Sequence, residues 1–351
     1  RRRRNRNSSG KCHRTGCRTH WRYIFCHSFC LCSGRSTLKP YLYSMRGRVI
    51  QSTGSWYEVL LDNGAVISCR LKGKFRLQEK KLTNPVAVGD MVLVDADEEG
   101  SSVITQIEPR HNYLVREAPQ KKEHTHIIAS NIDQVLVVAT LVKPRTSPGF
   151  IDRVLFMAEV YGIPAHVVFN KYDLYTDEEK DLLMEWGGTY ILAGYPAFHT
   201  SVVSGENISR LGALLKDKIT LLTGHSGVGK SSLVNALEPT FNLRIKEISA
   251  YHEKGQHTTT FARMFPLSMG GFIVDTPGIK EFGMVNVRAD EAGHFFPEIR
   301  ERMEHCQFSN CAHYNEHGCA IKQAVANGEI SEQRYISYLS IYEELKSKKT
   351  W

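Results

Sequence analysis

Between Arg46 and Tyr113, apolar and polar positions alternate with a period of two in short runs: Gly47–Ser52, Trp56–Leu61, Ala65–Leu71, Met91–Asp95 and Ser102–Ile107. Asp62-Asn63-Gly64 lies between two of them and signals a hairpin, because Asn and Gly accept the positive φ of a tight turn. Gly89-Asp90 marks another break. Strands this short and this closely spaced predict a small β-barrel of the OB type, a shape whose open face often binds single strands or structured RNA. A barrel that merely supports its neighbour would carry the same pattern.

Beyond the turn-rich stretch Pro119–Glu123 the pattern changes. Gln134–Leu141 and Ala165–Phe169 are continuous apolar runs, as expected of strands covered on both faces, and Lys218–Thr223 and Gly271–Val274 are two more. Phe150–Tyr161 repeats its apolar residues at helical spacing through Ile151, Val154, Leu155 and Ala158, and Ile208–Leu215 is also helical. This predicts an α/β domain with a largely parallel sheet. From Val287 onward the chain is charged and carries His and Cys. It ends in a helix with Tyr335, Tyr338, Leu339, Tyr342 and Leu345 on its apolar side. The expected architecture is therefore multidomain: an OB-type barrel over 45–113, an α/β domain over 114–285 and a helical C-terminal domain over 286–351. No internal repeat is evident.

Composition changes this picture in one place. The 351 residues carry a formal charge of +8 and nine Cys, which points at first to a basic, thiol-rich nucleic-acid binder. Residues 1–44, however, hold eleven of the 45 basic side chains, five of the Cys and no acid, leaving 34 basic against 37 acidic residues in the remainder. We read 1–44 as an unmatched basic extension upstream of a native start at Met45. An Arg-rich organelle-targeting segment and a basic binding tail are the alternatives. No apolar run is long enough to span a bilayer, and the other four Cys, Cys69, Cys306, Cys311 and Cys319, do not form a disulfide framework. A cytoplasmic location is expected, or an organellar one should 1–44 be a transit peptide. In the barrel region, Lys72, Lys74, Arg76, Lys80 and Lys81 form a local basic stretch that favours RNA, although a solvated loop would have the same composition.

Gly224-His225-Ser226-Gly227-Val228-Gly229-Lys230-Ser231 fits the phosphate-loop pattern G-x-x-x-x-G-K-[ST], between an apolar strand and the helix-forming Ser232–Leu237. Its glycines let successive backbone N–H groups turn onto phosphates, Lys230 can reach the β and γ oxygens, and Ser231 can ligate Mg²⁺. ATP and GTP both remain open at this point. Asn170-Lys171-Tyr172-Asp173 follows the strand Ala165–Phe169, where an N-K-x-D guanine reader belongs. The Asp173 carboxylate can accept both N1–H and the exocyclic amine of guanine, and adenine offers neither donor at those places. Asn170 can bridge to N7 and the nucleotide loops, while the Lys171 stem can lie over the base. Alone, four letters could equally be a strand-end turn.

Asp275-Thr276-Pro277-Gly278 matches D-x-x-G, with Asp275 holding Mg²⁺ through water and the Gly278 N–H sensing the γ-phosphate. Gly255-Gln256-His257-Thr258-Thr259-Thr260 lies where switch I should be, and Thr259, in preference to Thr258, would complete the Mg²⁺ shell. Thr200-Ser201-Val202-Val203 resembles the loop whose backbone N–H contacts guanine O6. The order is base reader, O6 loop, phosphate loop, switch I, switch II. A GTPase sheet with circularly permuted connections explains that order, since the ends of compact domains tend to lie close together. Switch II then directly precedes the C-terminal domain, which contains Cys306-x4-Cys311-x-His313-x5-Cys319. Three thiolates and one imidazole make a closed tetrahedral Zn²⁺ site, with His313 preferred over His305 and His317 for its spacing from Cys311. Such an ion would staple a small domain that lacks a sufficient core.

The permuted motif order, the Gly-Gln-His-Thr-Thr-Thr segment, the barrel and the Cys/His spacing together resemble the ribosome small subunit-dependent GTPase A (RsgA/YjeQ) family, from about Met45 to the C-terminus. The resemblance implies a GTP hydrolase that binds the small ribosomal subunit and its rRNA, acts late in the subunit's maturation and is stimulated by it, working as a monomer without a membrane partner. Many GTPases place a water-orienting Gln directly after D-x-x-G, but Ile279 stands there, with neither donor nor acceptor. The imidazole of His257 beside the Thr run, together with the resemblance, makes it the expected water-positioning residue. The competing expectations are an RNA-binding assembly factor whose nucleotide site is a slow or non-hydrolysing switch, and a P-loop kinase or ATPase, which Asn170, Lys171 and Asp173 disfavour.

Overall fold

In the computed structural model, residues 44–72, 85–96, 101–117, 125–239, 262–275 and 287–347 are described. The first strand, β1 (Met45–Ser52), hydrogen-bonds to β2 (Tyr57–Leu61) on one side and to β4 (Met91–Ala96) on the other. β3 (Val66–Leu71) pairs with β2, and β5 (Ser102–Ile107) joins β3 to β4, so the ring of five strands closes. Gly47 permits the close approach of β1 to β2, because a Cβ there would lie 2.7 Å from the Leu60 carbonyl oxygen. The alternating inward residues, Val49, Val59, Val92, Val94 and Ile104 among them, fill the barrel. Cys69 lies in this core, where burial pushes its thiol up to about 11.

The turn-rich stretch Pro119–Glu123 connects two paired strands, β6 (Tyr113–Glu117) and β7 (Thr125–Ser130). Their charged and polar residues hide the period-two signal. Asp90, wholly buried, ties this hairpin to the barrel: its carboxylate accepts from Arg110 Nε and Nη2, both at 2.7 Å, from Ser130 Oγ at 2.6 Å and from Ala87 N–H at 2.8 Å.

The expected parallel sheet is present: β10 (Ala197–His199), β9 (Ala165–Phe169), β8 (Gln134–Ala139), β11 (Ile219–Thr223) and β13 (Phe272–Asp275) lie side by side in that order. Every residue of β8 and β11 is buried, which accounts for their unbroken apolar runs. β12 (Arg263–Pro266) runs antiparallel to β13 and meets β1 at Gln51↔Arg263, so sheet and barrel share one hydrogen-bonded system.

Helices cover both faces. Leu136 and Val138 of β8 pack with residues of α3 (Ile208–Leu215) and α4 (Lys230–Leu237), while Val135 and Val137 point to the opposite core, which includes α1 (Pro148–Val160). Ser147 caps α1 by accepting the Phe150 N–H, with Pro148 in the first turn. The chain between β9 and β10 forms α2 (Asp177–Leu192), opened by a Thr176/Glu179 capping box.

The C-terminal region contains α5 (Pro297–Arg300), α6 (Ala320–Ala326) and α7 (Glu332–Ser347), and it continues the core around α1. Phe156 of α1 lies edge-on to Phe295, and Phe296 lies edge-on to Tyr338 of α7. Arg334, an apparent surface residue by type, is buried: it donates to Asp152 of α1 at 2.8 Å and to Glu298 of α5 at 2.7 Å, with Phe296 beneath its guanidinium. Burial works against its charge, but the two carboxylates outweigh it and hold the guanidinium above its ordinary value. No helix of the described residues is long and apolar enough to cross a membrane.

Removing one member of a buried ion cluster leaves its partners uncompensated. Arg334→Ala is expected to lower the unfolding free energy by about 3–5 kcal/mol, read from the midpoint and slope of a denaturant titration; a loss below ~1 kcal/mol would show that Asp152 and Glu298 find other partners.

Candidate nucleotide site and metal centre

The phosphate-loop sequence leaves the end of β11 and enters α4, the strand–loop–helix context that the chemistry requires. Gly224, Gly227 and Gly229 take φ of 146°, 83° and 94°. Two of them are also sterically obligatory, since a Cβ on Gly224 would fall 2.2 Å from the Val138 carbonyl oxygen and one on Gly229 2.3 Å from Asn170 Nδ2. Val228 is buried, whereas Ser226, Ser231 and Ser232 are exposed around the loop and the first turn of α4. Lys230 Nζ donates to the carbonyls of Gly224 and His225 at 2.7 and 2.8 Å, which folds the ammonium across its own loop. Burial lowers its pKa, and the Asp275 carboxylate at the end of β13 acts in the opposite direction. The His225 ring lies 4.0 Å from that of Phe150 at the start of α1.

The base-reader sequence leaves the end of β9, two strands from β11. Asn170 is almost completely buried and has all of its polar groups engaged: Nδ2 donates to the Val228 carbonyl at 2.9 Å, Oδ1 accepts from Thr200 Oγ1 at 3.1 Å, its N–H donates to Ala139 and its carbonyl accepts from Tyr175. One residue therefore joins the phosphate loop, the Thr200-Ser201 loop and the end of β8. Lys171 adopts a left-handed backbone (φ 64°) and its Nζ donates to the Lys143 carbonyl at 2.6 Å. Ser201 Oγ donates to Asp173 Oδ1, and its N–H donates to the Glu206 carbonyl. Val202 follows in the same loop, partly buried against the α3 side of the core.

His199 and Glu206 complete this loop cluster, and no motif marks either residue. The Tyr172 ring stacks on His199 with centroids 4.0 Å apart, His199 Nε2 is 2.8 Å from Glu206 Oε1, and the Tyr172 N–H donates to the Thr200 carbonyl. The stack braces the 3-10 turn Tyr172–Leu174, which carries Asp173, against the loop that carries Ser201 and Val202. His257, Thr258, Thr259 and Gly278 lie outside the described residues, as do Lys74, Arg76, Lys80 and Lys81.

In the C-terminal region, one ligand atom each from Cys306, Cys311, His313 and Cys319 lies within 4.8 Å of the others. His313 Nδ1 is 3.5 Å from Cys306 Sγ and 3.6 Å from Cys319 Sγ. Bonds of about 2.3 Å to sulfur and 2.0–2.1 Å to nitrogen in a tetrahedron give S···N edges of about 3.5 Å, so the donor set fits Zn²⁺. His305 is exposed beside Glu304, and His317 is exposed as well; His313 is buried. Burial lowers the pKa of its imidazole and pushes the Cys311 thiol up to about 12, so burial favours the uncharged form of both groups and a cation would be needed to draw the proton off Cys311. Tyr338 and Tyr335 of α7 donate to the carbonyls of Ala312 and His313, both at 2.6 Å, and the Glu316 carboxylate accepts the Ala312 and Tyr314 N–H groups. The terminal helix thus holds the ligand loop in place.

His199→Ala removes a stacked ring and a hydrogen bond, together about 1–2 kcal/mol, and is expected to weaken GTP and GDP binding alike by roughly 5–30-fold with little change in kcat; a purely kcat effect would place His199 elsewhere in the reaction. Stripping the metal with a chelator is expected to remove about one zinc per chain and to raise hydrogen exchange in α7, because Ala312 and His313 lose the geometry that Tyr335 and Tyr338 meet. Unchanged exchange in a metal-free sample would separate the ion from the helix.

Residues 107–285 match the RsgA GTPase family and residues 46–104 match the RsgA N-terminal domain. The chain is 47% identical over 305 residues to the small ribosomal subunit biogenesis GTPase RsgA of Bacteroides fragilis, covering 87% of this chain and 98% of that protein. It is 48% identical to the protein of the same name from Christiangramia forsetii, over 85% of this chain and 96% of that one. Among solved structures, YjeQ from Thermotoga maritima is similar at a TM-score of 0.72 and 35% identity, with 88% of this chain and all of that one covered. YloQ, described as a circularly permuted GTPase, is similar at a TM-score of 0.68 and 29% identity, covering 91% of this chain. With its five-stranded barrel, permuted GTPase sheet and C-terminal Cys3His cluster, the chain belongs to the RsgA family of GTPases.

Proposed function

We propose that this chain hydrolyses GTP as an assembly factor of the small ribosomal subunit, acting late in maturation, binding rRNA through the barrel and accelerated by the subunit itself. The observation that carries the nucleotide part is the Asn170 amide, which ties the base-reading turn to the carbonyl of Val228 inside the phosphate loop. That tie holds the two ends of one nucleotide site at a set separation. The relatives named for small-subunit biogenesis, matched over nearly their whole length, support the partner.

In this reading Asp173 accepts the guanine N1–H and exocyclic amine, and Ser201 keeps the carboxylate oriented. Because the Ser201 N–H is given to Glu206, the backbone donor to O6 comes from Val202. The stem of Lys171 covers the base, and the N–H groups from Gly224 through Ser232 face the phosphates. Lys230 exchanges the Gly224 and His225 carbonyls for β and γ oxygens. Ser231, Thr259 and Asp275 would hold Mg²⁺, which would neutralise charge on the phosphate oxygens. Gly278 senses the γ-phosphate. His257 orients the water that attacks it, releasing GDP and phosphate, since Ile279 offers no polar atom. Cys306, Cys311, His313 and Cys319 hold a structural Zn²⁺. The boundaries 45–113, 114–285 and 286–351, a monomeric state and action in the cytoplasm belong to the same reading.

Asp173→Asn replaces an acceptor-only group by a mixed donor and acceptor and is expected to weaken GTP binding by about 10-fold or more while leaving ATP unaffected, as read by competition for a labelled nucleotide. Equal affinity of the parent chain for ATP and GTP would overturn the guanine assignment. Turnover should be slow alone and rise at least about 10-fold with purified small subunits. A flat response, with GTP binding intact, would favour the non-hydrolysing switch.

A further inference from the structure

Helix α2 packs on the sheet through Leu183, Trp186 and Tyr190, the last two in ring contact with Phe169 of β9. Its opposite face has an unusual make-up for a surface helix. Met184 is 73% exposed, Ile191 57% and Leu192 86%, and at 100° per residue all three fall within one side of the cylinder, about 12 Å from end to end. Gly188 lies between them on that side, with Gly187 at its margin. A Cβ on either glycine would meet nothing within 4 Å and neither has a positive φ, so neither internal packing nor backbone geometry calls for them. They cost helix stability and leave the backbone open to close approach from outside.

The same side continues toward the helix start through Glu185, Asp181 and Asp177, all exposed, with Glu178 at the edge. Lys180 is the one base in the helix, and it pairs with Asp177. The face is thus apolar at one end and acidic at the other. A phosphate backbone would meet like charge here, while a basic protein segment carrying a few apolar side chains would meet complementary charge and apolar contact together.

We infer that the outward face of α2, centred on Met184, Ile191 and Leu192 and bordered by Asp177, Asp181 and Glu185, docks a basic protein of the small ribosomal subunit rather than its RNA. The inference rests on the small-subunit reading given above and adds a second, protein-directed contact on the side of the GTPase sheet that carries the base reader. None of these residues belongs to the nucleotide or metal site, so their replacement leaves that chemistry in place.

The experiment uses the full chain with purified small subunits. A photocrosslinking amino acid at position 192 is expected to yield adducts that protease digests and nuclease does not, with a basic subunit protein as the attached mass. An RNA adduct, an adduct to a second copy of the chain, or no adduct from a chain that still binds subunits would each overturn the inference. In parallel, Met184→Ser with Leu192→Ser is expected to weaken co-sedimentation with subunits at least about 5-fold while intrinsic GTP turnover and the thermal midpoint stay unchanged, and Asp181→Lys with Glu185→Lys should do the same with a reduced salt dependence. Equal binding by parent and variants overturns the inference alone. Failure of the parent chain to bind subunits at all overturns the small-subunit reading instead.

Discussion

The side-chain amide of Asn170 is the contact on which the site's geometry depends. It is nearly fully buried, so each of its polar atoms must find a partner within the protein. The partners it finds belong to two separate loops, Val228 in the phosphate loop and Thr200 in the loop after β10, while the backbone N–H of Asn170 donates to Ala139 at the end of β8. Gly229 exists in relation to it, since any side chain there would occupy the space of the amide nitrogen. A phosphate loop can be built locally from glycines and a helix start, and a base reader can be built locally from a strand end. Their separation, which a nucleotide measures, cannot be built locally. A buried amide satisfied on both sides sets it.

Permuted connections make that constraint more important. The base reader comes about fifty residues before the phosphate loop, so no short segment ties them, and the parallel register of β9, β8 and β11 has to carry the alignment. The same reordering frees the two flanks of the sheet for different attachments. On one flank β12 hands the hydrogen-bond ladder to β1, so the barrel is an extension of the sheet. On one face, Arg334 joins Asp152 of α1 to Glu298 of α5, so the metal-binding region is packed onto the helix whose first turn lies against His225 of the phosphate loop. The barrel is attached by backbone and the C-terminal region by buried charge and aromatic side chains. A backbone ladder is insensitive to side-chain chemistry; a buried ion cluster is very sensitive to it.

Much of this was legible in the chain because the signals were local. Continuous apolar runs foretold β8, β9 and β11, alternation foretold all five barrel strands, and the glycines, Lys230 and the Cys/His spacing each name a chemistry within fourteen residues. What escaped did so for physical reasons. α2 is apolar on both sides, Leu183 and Tyr190 inward and Met184, Ile191 and Leu192 outward, which erases the helical period that exposes most surface helices. β6 and β7 carry charged and polar residues on a two-stranded ribbon, and their connection reads only as a turn-rich stretch. β10 and β12 span only three and four residues, too few to establish a period. His199 and Glu206 belong to no motif; their role arises because β10 brings His199 under Tyr172 and the following loop brings Glu206 to His199.

By itself the sequence pointed to the chemistries proposed for the protein, because patterns for phosphate, guanine and metal recognition each consist of residue types at short, inflexible spacing. It also determined that the sheet is wound in a permuted order, since motif order is a property of the chain. The tertiary structure alone decided how those chemistries are joined: that Asn170 rather than a loop spans base reader and phosphate loop, that Arg334 is an interior cation and not a surface one, and that Tyr335 and Tyr338 hold the metal loop. Those are contacts between residues tens to nearly two hundred positions apart. Only the folded chain brings such partners within hydrogen-bonding range, and only burial makes leaving them unpaired costly enough to matter.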